Sequence, residues 1–352
     1  MKNCITVLVF LLNLAAIAQD SFNKNESVYE INTTNTEILE SNINFILTPT
    51  KANTKLSDVG SAFFKNKYII YSSRKTGEIG IGKDNITNQP FTNLYCLNVD
   101  ETGNLSKPLF FSRLIKSDGN QGGLTFSPNE KVMYYTKSNK GNSSNYQLFK
   151  SDFDVVSNSK WTNEEPIAFN SPDYSIENPF VTADGKKMYF TSNMPGGFGG
   201  YDLYVAEINE FNLPVNPVNL GKEINSSADE THPYISRNQK NIYFSSNGHS
   251  GFGGKDVFVS TIYKSSFSNP VNLGKSINTS ADEVAFILAS KSSGYVSSNR
   301  ENTIGSYDVF KFDMFKNENK LSDSSYETDN IITFPNTEVS FLNNESIVAK
   351  NK

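Results

Sequence analysis

Across 352 residues there are two cysteines, two histidines and one tryptophan, and the 32 lysines and arginines do not outnumber the 37 aspartates and glutamates. Each scarcity excludes something. A net charge of −5 argues against nucleic acid as a partner, which calls for a basic patch. His232 and His249 are isolated, so no metal set is expected. No GxSxG elbow places a serine for a Ser-His-Asp triad. No cofactor is expected. Long apolar runs are also missing. Residues 5–14 form one, and it falls short of the roughly 20 residues that span a membrane.

That short run has a different reading. Lys2 precedes it, and Ala16 and Ala18 follow, which is the pattern of a secretory signal peptide over residues 1–18. Cys4 lies ahead of the apolar run and leaves with the signal. Cys96 is then the single cysteine of the mature chain, so no internal disulfide forms. An exported protein of this kind must be held by its own core, and the chain is long enough to build one. Residues 19–42 read as a polar flexible leader, and no transmembrane segment is expected after cleavage.

What the chain has in quantity is turns, short alternating strands and repetition. Residues 192–208 read SNMPGGFGGYDLYVAEI, 246–262 read SNGHSGFGGKDVFVSTI, and 298–312 read SNRENTIGSYDVFKF. In each, an Asp follows the Ser by ten positions, as Asp202, Asp256 and Asp308, and the copies lie 54 and 52 residues apart. A period near 50 with strand patterning points to a β-propeller. The clearest unit has strands at 232–237, 241–247 and 255–262, with a fourth segment at 270–277. Its neighbour has them at 178–183, 186–193, 201–208 and 217–224. A looser unit runs through 123–128, 131–138, 146–152 and 164–170, and the first through 61–64, 68–74, 93–99 and 107–112. The fifth, at 284–290, 294–299 and 307–313, lacks a fourth strand. The segment at 43–49 (INFILTP) is expected to supply it and close the ring, which also removes open sheet edges. The fold class is therefore all-β, a propeller of four-stranded blades over 43–315. Five blades are counted, or six if leader or tail adds strands. Residues 316–352 read as a polar tail.

The glycines at 196–200 admit three readings. A phosphate loop needs a following helix and the GxxxxGK[ST] spacing, and neither is present. A calcium nonapeptide repeat recurs every nine residues, whereas this pattern recurs at about 50. A turn between the second and third strands remains. In this reading Asp202, Asp256 and Asp308 open the third strand and accept bonds from turn amides, which makes them structural.

These repeats resemble WD40-like repeats of the TolB type. The links NPVNLGKEINSSADE (216–230) and NPVNLGKSINTSADE (269–283) are similar to those joining the blades of periplasmic OmpA-family proteins of Bacteroidota. The resemblance covers roughly 57–313. It implies a periplasmic or outer-membrane-associated interaction module, and the partner expected for such a module is an envelope protein or a glycan. The OmpA-like peptidoglycan-binding domain has no counterpart in this sequence, and the resemblance transfers no catalytic residue.

In a propeller the innermost strands line a channel, and their leading ends form one rim. The residues expected there are Asp58, Gln121, Glu177, Asn178, Asp229, Glu230, His232, Asp282 and Glu283. Such a ring suits a cation, a sugar or a peptide end, although acidic residues between strands also simply cap turns. The function expected is a non-catalytic binding or scaffold module acting through a propeller face. The alternative is a glycan hydrolase with two rim carboxylates about 5–5.5 Å or 6.5–9.5 Å apart.

Overall fold

Asn241–Ser246 (NIYFSS) is buried at every one of its six positions. Apolar and small side chains that alternate on a strand covered on both faces require sheets stacked against each other. The computed structural model describes residues 43–316, apart from 74–82, 85, 112–114, 116–118, 140, 155–159 and 265. The signal, the leader and all but the first residue of the tail lie outside these described residues.

Among the described residues, twenty strands form five antiparallel sheets of four. The chain enters through β1 (Ile43–Pro49). Blade one is β2 (Asp58–Phe64), β3 (Lys67–Ser72), β4 (Asn93–Asn98) and β5 (Leu109–Phe110). Blade two is β6 (Gln121–Phe126), β7 (Val132–Asn139), β8 (Asn142–Asp154) and β9 (Lys160–Pro166). Blade three is β10 (Ile176–Val181), β11 (Lys187–Ser192), β12 (Asp202–Ile208) and β13 (Pro214–Asn219). Blade four is β14 (Glu230–Ile235), β15 (Asn241–Ser246), β16 (Asp256–Thr261) and β17 (Val271–Asn272). Blade five is β18 (Glu283–Leu288), β19 (Ser293–Ser298) and β20 (Asp308–Lys316), with β1 as its outer strand. The innermost strands meet in sequence, β2 with β6, β6 with β10, β10 with β14, β14 with β18, and β18 again with β2. This is a five-bladed β-propeller.

Closure follows the expected route. β1 pairs with β20 from Ile43↔Lys316 to Pro49↔Phe310. Phe45 packs edge-on against Phe286 and Phe312 at 6.3 and 5.5 Å. The outer strands differ from expectation. In blades three and four the residues after Asn219 and Asn272 turn away, so those strands stop earlier than the alternation suggests. In blade two the outer strand begins at Lys160, ahead of the expected segment. It therefore includes Trp161, which rests on Phe64, Phe126 and Phe153.

Adjacent blades are joined in two ways. Aromatic rings stack across the seams, as Tyr68 on Tyr295 at 4.5 Å and Tyr243 on Phe286 at 5.0 Å. Offset rings of this kind add to the burial of apolar surface. Polar latches form beside them. Asn225 receives the amide of Leu203 and donates to its carbonyl. Asn278 does the same for Val257, Asn170 for Leu148 and Asn53 for Val309. Each side-chain amide thus completes the backbone bonding of the third strand in the blade before it. The glycine loops press on the same links. A Cβ on Gly199 would lie 2.2 Å from Ala228 oxygen, one on Gly253 2.2 Å from Ser280 carbon, and one on Gly305 1.8 Å from Leu56 oxygen.

Two outcomes follow for stability. Phe45→Ala removes the ring that seals the closing strand and should lower unfolding stability by about 3 kcal/mol. Asn278→Ala strands a buried amide and carbonyl and should cost about 2 kcal/mol. Urea denaturation followed by tryptophan fluorescence measures both, and unchanged midpoints would contradict the latch and the seal.

Candidate functional site: the channel mouth

The polar side chains at the leading ends of the inner strands divide into two sets. Asp58, Gln121, Glu230 and Glu283 occupy one ladder position, opposite Ser72, Lys137, Ser246 and Ser298 of the second strand. All four are buried. Asp58 accepts from the amide and hydroxyl of Thr54 and from Ser72. Glu230 accepts from the amide and hydroxyl of Ser226 and from Ser246. Glu283 accepts from Thr279 twice, from Ser298, and from Arg300 Nη2 at 3.1 Å. Gln121 accepts from Leu94 amide and donates to Ile115 carbonyl. These side chains hold the links that enter blades one, two, four and five.

The second set faces the mouth. Burial pushes the Glu177 carboxyl above the usual range, opposed by hydrogen bonds from Tyr201 and Ser175. Asp229 accepts the amide of Tyr201 and the ammonium of Lys255, the latter at 3.1 Å. Asp282 accepts the amide of Lys255, the hydroxyl of Tyr307 and the amide of Asn299. Burial would raise the Asp282 carboxyl, but these donors and the Lys255 charge hold it below the ordinary value. Asn178 and His232 sit one step deeper, beside Ala285, and all three have φ near +50° (48°, 53° and 55°). Left-handed backbone at residues other than glycine costs on the order of 1 kcal/mol each. Here it falls at the bulge that interrupts each of these inner strands.

Tyr71 crosses the channel. The second strands of the other blades carry Thr136, Thr191, Ser245 and Ser297 at its place. From blade one its hydroxyl reaches Nε2 of His232 in blade four, at 3.2 Å, and it also bonds Asn178 in blade three. Neither is a neighbour of blade one in the ring. Beyond this bridge lies a cavity of about 30 Å³, room for about two waters. Burial and the nearby Lys255 charge lower the His232 pKa to about 3, so the ring is neutral. Its Nδ1 and the hydroxyls of Thr191, Thr231 and Ser245 are buried with no hydrogen-bond partner among the described residues.

Asp202 accepts from the amides of Phe198 and Gly199, Asp256 from Phe252, and Asp308 from Ile304 and Gly305. Asn219 and Asn272 add a bond to the first two. His249 lies in the loop between β15 and β16. It is half-buried, stands 2.8 Å from Ile224 oxygen and packs on Phe244 and Phe258. The mouth residues missed in the sequence are Tyr71, Tyr201, Lys255 and Tyr307. Three of these stand immediately before the recurring Asp, so the repeat carried a signal for them.

No protein-family model matches the chain, and the comparison with curated proteins gave no match. Several solved structures are similar to this chain. The chain is similar to RS223 β-xylosidase, with TM-score 0.50 and 12% identity, covering 82% of this chain and 98% of that one. A thermostable family-43 glycoside hydrolase gives 0.48 and 13%, covering 82% and 97%. A TolB from Acinetobacter baumannii gives 0.39 and 14%, covering 77% of this chain and 63% of that one. At 12% identity the first of these likenesses speaks for the fold alone, and the other two carry no argument.

The neutral His232 gives a pH test. Its folded pKa lies near 3 against an ordinary value of 6.5. The unfolded chain takes up the proton first, so this residue's contribution to stability is full above pH 6.5 and declines as pH falls toward 3. His232→Gln should flatten that part of the stability-against-pH curve. In NMR the His232 ring should remain neutral at pH 5 (~1.5 units below the usual histidine pKa), and titration near 6.5 would contradict the burial described.

Proposed function

We propose that the protein is a non-catalytic binding module of the cell envelope, engaging an envelope protein or a glycan through the propeller face on which the channel mouth opens. One observation carries this reading. Of the rim carboxylates, Asp58, Glu230 and Glu283 are taken up by donors of their own links and of the neighbouring second strand, with Arg300 added at Glu283. What remains on the rim is a polar surface floored by Tyr71, suited to recognition. The N-terminal segment 1–18 has the features of an export signal, and the repeat resembles propellers of OmpA-type envelope proteins. Periplasmic or outer-membrane association fits both. Among the described residues, no helix is long and apolar enough to cross a membrane.

A second reading keeps one residue in view. Glu177 faces the mouth with its carboxyl raised by burial, and a raised carboxyl is what a general acid in a glycan hydrolase requires.

One experiment addresses both. A photo-crosslinking residue placed at Phe198 or Phe252, on the mouth face, should capture an envelope component in intact cells, and the same residue at Phe211, in the loop after β12, should not. Adducts from Phe211 alone, or none, would overturn the binding face. Release of reducing sugar from envelope glycans, abolished by Glu177→Gln, would favour the hydrolase.

A further inference from the structure

Three apolar side chains recur at one position of the repeat. Phe198, Phe252 and Ile304 each precede the recurring Asp by four residues, and they are 51%, 37% and 60% exposed. Single exposed apolar residues are ordinary. These are fixed in place, because each backbone amide is bound to the buried Asp of its own blade. In each case the residue that follows is a glycine, pressed against the link of the next blade. The loop cannot turn the side chain inward without lifting off that link. Blades three, four and five therefore present a pre-ordered apolar arc, which loses little freedom when covered.

The arc lies on the face where the mouth opens. Tyr201 and Lys255 follow Phe198 and Phe252 by three residues and meet the mouth carboxylates directly. Glu177, Asp229 and Asp282 stand there against one described cation, Lys255. Thr231 adds an independent sign. It is 8% exposed, and its hydroxyl has no partner among the described residues. It shares the ladder position of Glu177, Val59 and Val284, and the two valines pack with Tyr71 and Tyr307 at the mouth. A buried hydroxyl left without a bond is costly unless something outside the fold supplies one.

We propose that the mouth receives a lysine or arginine side chain of a partner protein, presented by an apolar segment that seats on Phe198, Phe252 and Ile304. This rests on the face reading given above and narrows it to a partner chemistry. A cationic tip brings several N–H donors and no acceptor. It can meet the carboxylates and the Thr231 oxygen together. An anionic tip would face three carboxylates against one ammonium, and like charges across an interface are disfavoured.

The test uses the whole protein and three acetylated, amidated tripeptides, Leu-Arg-Leu, Leu-Leu-Leu and Leu-Glu-Leu, titrated by NMR. Leu-Arg-Leu should shift the His232 ring and Thr231 methyl signals saturably, and the other two should bind more weakly or not at all. Lys255→Gln removes the competing cation and should tighten Leu-Arg-Leu by about threefold to fivefold, the scale of one exposed ion pair. A gain of this sign cannot come from misfolding. The Phe198→Ser, Phe252→Ser double variant should weaken it, with a melting temperature taken alongside to show the fold intact. Equal or tighter binding of Leu-Glu-Leu, no saturable binding of any peptide, or weaker binding to Lys255→Gln would overturn the proposal. Crosslinks from Phe198 or Phe252 without arginine binding would leave the face standing and remove only the cationic occupant.

Discussion

The structure depends on how each blade is fastened to the next. A four-stranded sheet of short strands is too small to stand alone, and a ring of them is only as stable as its seams. The seams here are made by the links between blades. In each of four links an asparagine completes the backbone pairing of the preceding blade. In three, the acidic residue that opens the following inner strand gathers the amide and hydroxyl of the residue next to that asparagine. The same few residues therefore tie the blade behind to the blade ahead. Burying carboxylates in this way is tolerable because donors surround each one.

This explains which parts of the chain could be read before any coordinates. Ser192 to Asp202, Ser246 to Asp256 and Ser298 to Asp308 kept their spacing because the loop between them must span the same distance in blades three, four and five. The alternation of the inner three strands was equally plain, since both faces are covered. Outer strands were misjudged at 217–224 and 270–277. Their apolar residues Leu220, Ile224, Leu273 and Ile277 are buried, but as plugs under a turn opened by Gly221 and Gly274 at φ near +90° (87° and 88°). Apolar character was visible there, while the turn that redirects it was not.

The candidate site was legible in a different measure. Acidic residues recurring at the inner-strand ends marked the rim, yet position alone did not tell which carboxylates turn toward the links and which toward the channel. That choice follows from a shift of one residue along a strand, which reverses the side a residue faces. Glu177 lies one place after Ile176, and Ile176 stands where the other blades carry Glu230 and Glu283. Tyr71 was hidden for another reason. It breaks the repeat, replacing a small hydroxyl residue, and its partners lie across the ring in blades distant in sequence. Departures from a repeat of this sort concentrate where a symmetric scaffold acquires an asymmetric function.

The splice between β1 and β20 has a mechanical consequence. Ile43 and Lys316 are register partners at the same end of an antiparallel pair, so traction applied through the flanking segments would act on one point. Load delivered this way opens a ladder bond by bond, like a zipper, rather than shearing all of it together. A ring tethered from both flanks would therefore yield first at its clasp, and blades one to four would stay folded while blade five gave way.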